Sequence, residues 1–205
     1  MIKLGIGIPY YEGKESDKLL YNALIDKLKI QISSYFDSGK IQIVTAKDTE
    51  GKGVAYARNQ LIEFFIKRKC SHIVFIDADD TIDNNFIKEL YNACCYARRD
   101  GYNVIECKFY IRKNLVKSKD GNLLPVHVTG IAYDVNLIKN MRFDEKYLIG
   151  EDEKWSKELN DSGKVKKMLC TAKYYYNFGI NNECLSYKYQ RNEIPFDRVY
   201  RGDNM

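Results

Sequence analysis

Long apolar runs and Cys-x-x-Cys pairs are missing from this 205-residue chain and histidine is scarce, and each of these removes a class of protein. No stretch approaches the eighteen or so consecutive apolar residues of a membrane-spanning helix, so no transmembrane segment is expected. No signal-peptide pattern precedes the strand-like run from Ile2 to Ile8, which points to a cytoplasmic protein. The six cysteines (Cys70, Cys94, Cys95, Cys107, Cys170 and Cys184) include no Cys-x-x-Cys pair, and there are only two histidines. This argues against a structural zinc site and for reduced thiols. Basic residues are in slight excess, with a net charge of +5. That favours an anionic ligand but falls short of the concentrated basic stripe of a nucleic-acid binder. Internal repeats and low-complexity blocks are missing too. What is present, 45% hydrophobic residues with 13% aromatics, fills the core of one domain of ordinary size.

The apolar pattern switches between two periods. Residues 3–8 read as a buried strand ended by Pro9-Tyr10-Tyr11, and a helical period follows in Leu19, Leu20, Ala23, Leu24, Leu28 and Ile32, stopping near Gly39. Residues 41–45 read as a second strand. Gly51 and Gly53 open a helix whose apolar face is Ala57, Leu61, Phe64 and Phe65. A strand at Ile73 is followed by a helix over residues 86–97. This alternation predicts an α/β fold with a mainly parallel central sheet flanked by helices. Residues 104–111 and 126–129 read as further strands, 114–122 as an exposed polar turn and 152–159 as a helix, with a Tyr-rich, extended remainder.

The sharpest local feature is His72-Ile73-Val74-Phe75-Ile76-Asp77-Ala78-Asp79-Asp80-Thr81, a short apolar run ending in three carboxylates. Ligands of α/β sheets sit beyond the carboxyl ends of the strands, so these acids belong at the mouth of a site. Crowded anions repel unless a cation neutralises them, and oxygen ligands suit Mg²⁺ or Mn²⁺. The plain alternative is an acidic loop in which Asp80 or Thr81 caps the next helix.

Two family resemblances compete for these carboxylates. The Asp-x-Asp-x-Thr pattern at Asp77 resembles the first motif of haloacid-dehalogenase phosphatases, implying Asp77 as nucleophile and Asp79 as general acid. Thr129 and the pair Glu151-Asp152 would then pose as later motifs. Against this, two strand–helix units precede the supposed nucleophile strand, and too few residues separate Thr129 from Gly150 for the lysine-bearing unit. The second resemblance covers residues 2 to about 178 and places four motifs in order. Ile8-Pro9-Tyr10-Tyr11 ends a first strand; Gly51-Lys52-Gly53-Val54-Ala55-Tyr56-Ala57-Arg58-Asn59 starts a helix; Phe75-Ile76-Asp77-Ala78-Asp79-Asp80 is a metal motif; Arg142-Phe143-Asp144-Glu145 followed by Gly150-Glu151-Asp152 is an acceptor-side motif. Together they resemble a family 2 glycosyltransferase of the GT-A fold.

That resemblance implies a GT-A catalytic domain over residues 1–180, with a nucleotide-sugar half to about residue 100, an acceptor half from 101 and a C-terminal extension over 181–205. It implies Asp77 and Asp79 as ligands of Mn²⁺ or Mg²⁺, with Asp80 as a possible further ligand. Pro9, Tyr10, Tyr11, Asp48, Arg58, Asn59, Asp77 and Ala78 would line the nucleotide-sugar, a UDP-sugar by preference, and Asp152 rather than Glu151 would be the general base of an inverting transfer. Arg58 as a surface ion pair, and Glu151-Asp152 as acids complementing a helix dipole, are the plain alternatives. The chain departs from the family in its second-strand loop, Thr45-Ala46-Lys47-Asp48-Thr49, which leaves the role of Asp48 open. The Gln-x-x-Arg-Trp motif of processive synthases is absent, and Tyr189-Gln190-Arg191-Asn192 does not replace it, which points to single transfers. His127 reads as a packed or surface residue and Trp155 as core or pocket wall. Tyr174, Tyr175, Tyr176, Phe178, Tyr187 and Tyr189 would stack on a sugar or simply pack one face of an edge strand, and packing is the simpler expectation. The acceptor stays open: a glycan, a protein, a lipid-linked sugar or a modified base in DNA. So does a catalytically inactive binding module of the same fold.

Overall fold

Leu4, Ile6 and Ile8 alternate with Gly5 and Gly7, and this period of two sets the centre of the molecule. The computed structural model describes residues 1–11, 15–35, 39–111, 114–115, 127–147 and 150–176. In it β1 (Leu4–Tyr10) is buried throughout. Its Leu and Ile side chains enter one core with Leu24 and Leu28 of α1 (Glu15–Tyr35) and Phe86, Ile87, Leu90 and Cys94 of α3 (Phe86–Asp100). Its glycines face α2 (Val54–Lys67), whose Leu61 and Phe65 belong to a second core. A Cβ on Gly5 would lie 2.6 Å from the Phe65 ring, and one on Gly7 3.0 Å from Leu61. The two glycines therefore let α2 ride unusually close to the sheet. Gly5→Ala is expected to destabilise the fold by roughly 1–3 kcal/mol through overpacking, against the gain an alanine normally brings to a strand, and urea unfolding measures it.

The sheet runs in the order β2-β1-β3-β7-β5-β8-β4, with β6 paired to β5. These are β2 (Ile41–Lys47), β3 (His72–Phe75), β4 (Thr81–Ile82), β5 (Val104–Ile111), β6 (Asn114–Leu115), β7 (Ile131–Asp134) and β8 (Lys167–Tyr176). Strands β2, β1 and β3 are parallel, as is the β5–β8 pair; β7 runs antiparallel to both β3 and β5, and β4 antiparallel to β8. The expected α/β architecture is there, but the parallel part is confined to those strands and the sheet as a whole is mixed. Helices α1 and α3 cover one face. The other is covered by α2, the short α4 (Val135–Ile138) and α5 (Glu151–Asp161).

Three local expectations are corrected. The first strand runs past the expected Ile8 through Pro9 and ends at Tyr10, these two residues pairing with Ala46 and Lys47. Pro9 is tolerated because even-numbered amides such as that of Leu4 point to the β2 side (Leu4 N to Lys40 O, 2.9 Å), so its missing N–H faces β3, which has already ended at Phe75. The strand expected at 126–129 is displaced: Thr129 makes a single bridge to Phe75, Gly130 turns at φ +68°, and the strand proper is β7. Asn114 and Leu115 pair with β5 rather than lying in an exposed turn. Val126, residues 116–122, Leu148, Ile149, Phe178, Tyr187, Tyr189 to Asn192 and the extension over 181–205 lie outside the described residues. Among the described residues no helix is long and apolar enough to cross a membrane.

Candidate active site

The chain leaves β3 at Phe75, and the Ile76 amide still bonds the Gly7 carbonyl at 3.0 Å before the aspartates turn (Asp80 N to Asp77 O, 3.1 Å). Strand β4 follows at once, and α3 begins only at Phe86 with Asn85 at its cap, so neither Asp80 nor Thr81 caps a helix. Asp80 is 3% exposed, and its Oδ2 accepts the Tyr174 hydroxyl. The same hydroxyl accepts the Asp77 amide at 3.2 Å. Ala78 and Asp79 sit half-buried on the turn. Burial, reinforced by the neighbouring Asp77 charge, pushes the Asp79 carboxyl up to about 6.

Arg58 meets this turn from α2. It is 4% exposed, with one guanidinium nitrogen 3.0 Å from Asp77 Oδ1 and the other 2.6 Å from Glu151 Oε1, while its plane lies over the Phe143 ring at 5.5 Å. The surface ion pair that its sequence position allowed is thus a buried bridge joining the aspartate turn to the start of α5. Gly150, left-handed at φ +83°, opens α5 and delivers Glu151 inward and Asp152 to a half-buried position. Burial raises the Glu151 carboxyl to about 7 against the pull of Arg58. Burial likewise raises Asp152, with Arg58 drawing it down and Asp77 pushing it up, so these four groups share one electrostatic site.

The other predicted residues supply its frame. Both polar atoms of the Asn59 amide are committed to the acceptor-side loop: its Nδ2 donates to Phe143 O (3.0 Å) and Glu145 Oε1 (2.8 Å), and its Oδ1 accepts the Phe143 amide (2.8 Å). Asp48 organises the loop into α2 by accepting the amides of Glu50 (3.3 Å), Lys52 (2.9 Å) and Gly53 (2.6 Å). Burial works to raise its carboxyl, but these amides outweigh it and hold it below the usual range. Pro9 is buried, Tyr10 stacks on Tyr21 at 4.2 Å, and Tyr11 is 63% exposed. Trp155 is core, stacked on Phe143 at 4.9 Å. His127 packs on Phe109 at 3.7 Å, and burial drops its imidazole to about 4. Tyr174 is wholly buried, whereas Tyr175 and Tyr176 are half-buried and stack on Tyr110 and Phe109. No local signal marks Tyr174 as a partner of the aspartate turn, because Asp80 and Asp77 lie 94 and 97 residues away.

The described residues contain no group of three or more His, Cys, Asp or Glu side chains arranged around one metal position. The two-carboxylate turn fits a smaller demand: Mg²⁺ and Mn²⁺ commonly take one or two carboxylates and complete their shell with substrate phosphates and water.

No protein-family model matches the chain. The chain is similar to the Bacillus subtilis (strain 168) minor teichoic acid biosynthesis protein GgaB, 30% identical over 166 residues, covering 74% of the chain and 18% of that protein. Among solved structures it superimposes on S. aureus TarS with a TM-score of 0.60 at 14% identity, over 86% of the chain and 37% of TarS. The 1-349 fragment of TarS in complex with UDP-GlcNAc gives 0.60 at 14% identity, over 87% and 60%. A Drosophila beta1,4galactosyltransferase 7 mutant in complex with manganese, UDP-Gal and xylobiose gives 0.56 at 12% identity, over 82% and 65%. The chain has the GT-A fold of these structures. It spans less than a fifth of the curated relative's length, since 18% of that protein is covered. In this chain the turn after β3 and the start of α5 meet at Arg58, and with the fold established the haloacid-dehalogenase alternative loses its structural basis.

Proposed function

We propose that this chain is the catalytic module of an inverting glycosyltransferase that moves one sugar from a nucleotide-sugar, a UDP-sugar by preference, to an acceptor hydroxyl. The observation that carries this reading is the Arg58 bridge, which brings the donor-side Asp77 and the acceptor-side Glu151 onto one guanidinium from positions 19 and 93 residues away. A non-catalytic module of this fold has no physical need to bury such a bridge beside two further carboxylates. Asp79, with Asp77 assisting, would hold Mn²⁺ or Mg²⁺, which when bound supplies Lewis-acid charge to the departing diphosphate. Asp77 keeps one oxygen on Arg58 and turns the carboxylate toward the donor. Asp152, electrostatically coupled to Arg58 and Asp77, would take the proton of the acceptor hydroxyl. One base and no protein nucleophile implies direct displacement and inversion. Asn59 acts by holding the Phe143–Glu145 loop rather than by touching the donor.

Relatives support the donor and acceptor classes. TarS binds UDP and UDP-GlcNAc, and the Drosophila enzyme is seen with UDP-Gal and xylobiose. Together with a Bacillus relative named for teichoic acid biosynthesis, they favour a hydroxyl-rich polymer or glycan as acceptor. Calorimetric titration of Mn²⁺ with UDP tests the reading: wild type should bind the pair, and Asp79→Ala should weaken binding at least about tenfold, the usual scale for disturbing a metal ligand or its support. Equal binding by the two proteins would remove the cation from Asp79. Thermal-shift screening of nucleotide-sugars identifies the donor, because a ligand of the folded state raises apparent stability.

A further inference from the structure

The aspartate turn is held from a strand remote in sequence. Tyr174 lies on β8, where its backbone pairs with Ile82 of β4 on one side and with Phe109 of β5 on the other. Its ring is fully buried, packed on Phe109 at 5.6 Å and beside Phe86 at 6.3 Å. The space it fills exists because residue 130 is glycine: a Cβ there would lie 2.8 Å from the Tyr174 ring, and the backbone turns at φ +68°. A phenol has one donor and a lone-pair acceptor, and here both are used across one turn: the oxygen accepts the Asp77 amide at 3.2 Å and the proton goes to Asp80 Oδ2 at 2.5 Å.

The geometry points to Tyr174 as a positioning residue: its hydroxyl fixes the Asp77–Asp80 turn so that Asp79 is presented to a divalent cation. This rests on the glycosyltransferase reading above. Asp80 then has a defined job, since its carboxylate anchors the turn to β8, with Asp79 lying between the two anchored residues Asp77 and Asp80. Without the hydroxyl, β4 still pairs with β8, but the turn loses the contact that ties its first amide to its last side chain.

Tyr174→Phe in the whole chain tests this, because it removes one oxygen and keeps the ring. Three results are expected. Hydrogen exchange at the Asp77 amide of the metal-free protein should rise about tenfold or more as its bond is lost. Mn²⁺ binding in the presence of UDP, read by electron paramagnetic resonance, should weaken about tenfold, in line with the loss of other outer-shell supports. UDP binding without metal should be unchanged. Tyr174→Phe also leaves the buried Asp80 charge without its donor and lowers stability, so the double variant Tyr174→Phe/Asp80→Asn separates folding from positioning. It should recover stability while its Mn²⁺ affinity stays low. Wild-type Mn²⁺ affinity in either variant overturns the inference, and a wild-type protein that binds no Mn²⁺ with UDP overturns the metal reading beneath it.

Discussion

Asp152→Asn is expected to leave UDP binding intact and to cut sugar transfer by roughly 10²–10⁴-fold, the usual contribution of a positioned general base. Hydrolysis of the donor by water should fall in parallel, since water needs the same base. Glu151→Gln should cost less, because the Glu151 carboxylate is buried against Arg58. The pH profile provides a second check. Burial raises the Asp152 carboxyl above its ordinary 3.8, with Arg58 lowering it and Asp77 raising it. A base must be ionised to act, so kcat/KM should rise with pH through a midpoint above that of a free aspartate. Asp77→Asn removes a charge that raises this carboxyl and should shift the acid limb down. Arg58→Met removes the charge that lowers it and should shift the limb up. A 152 variant with full transferase activity would reduce the acidic pair to a helix cap and send the search for the base elsewhere in the cleft.

Arg58→Ala carries the largest expected effect on folding. The guanidinium and the Glu151 carboxylate are only 5% and 6% exposed as side chains, so removing one partner strands the other. Breaking a buried pair of this kind costs about 3–5 kcal/mol, far more than the value of a surface ion pair. Urea unfolding should show that loss. Arg58→Lys should recover little, because an ammonium lacks the planar fork that reaches Asp77 and Glu151 together. Pairing Arg58→Ala with Glu151→Gln should restore part of the stability, since the stranded charge is gone, and the double-mutant cycle gives the coupling. Two independent losses that simply add would show that the bridge contributes no such coupling.

Much of the candidate site was legible along the chain. Asp77, Asp79, Arg58 and the Gly150-Glu151-Asp152 turn were marked by local features: an apolar run stopping at carboxylates, a glycine-flanked helix start, a glycine before acids. Strand and helix periods likewise located β1, α1, β2, α2, β3, α3 and β5, because such periods are set by near neighbours and by which face is buried. Tertiary structure decided the rest. Arg58 was open between a surface pair and a donor contact, and only the approach of α5 to α2 gave it Glu151 at 2.6 Å. Asn59 and Asp48 read as donor contacts, yet the loops they face take up their hydrogen bonds. Asp80 carried a helix-cap pattern that β4 pre-empts, and its real partner comes from β8. The antiparallel β7 displaced the strand expected just before it and turned a mainly parallel sheet into a mixed one. The sequence by itself determined which groups are ionisable and where most strands and helices lie, since both follow from residues a few positions apart. Which charges meet was decided by the fold, because ion pairing and hydrogen bonding between buried groups depend on distances that only the packed sheet and helices create.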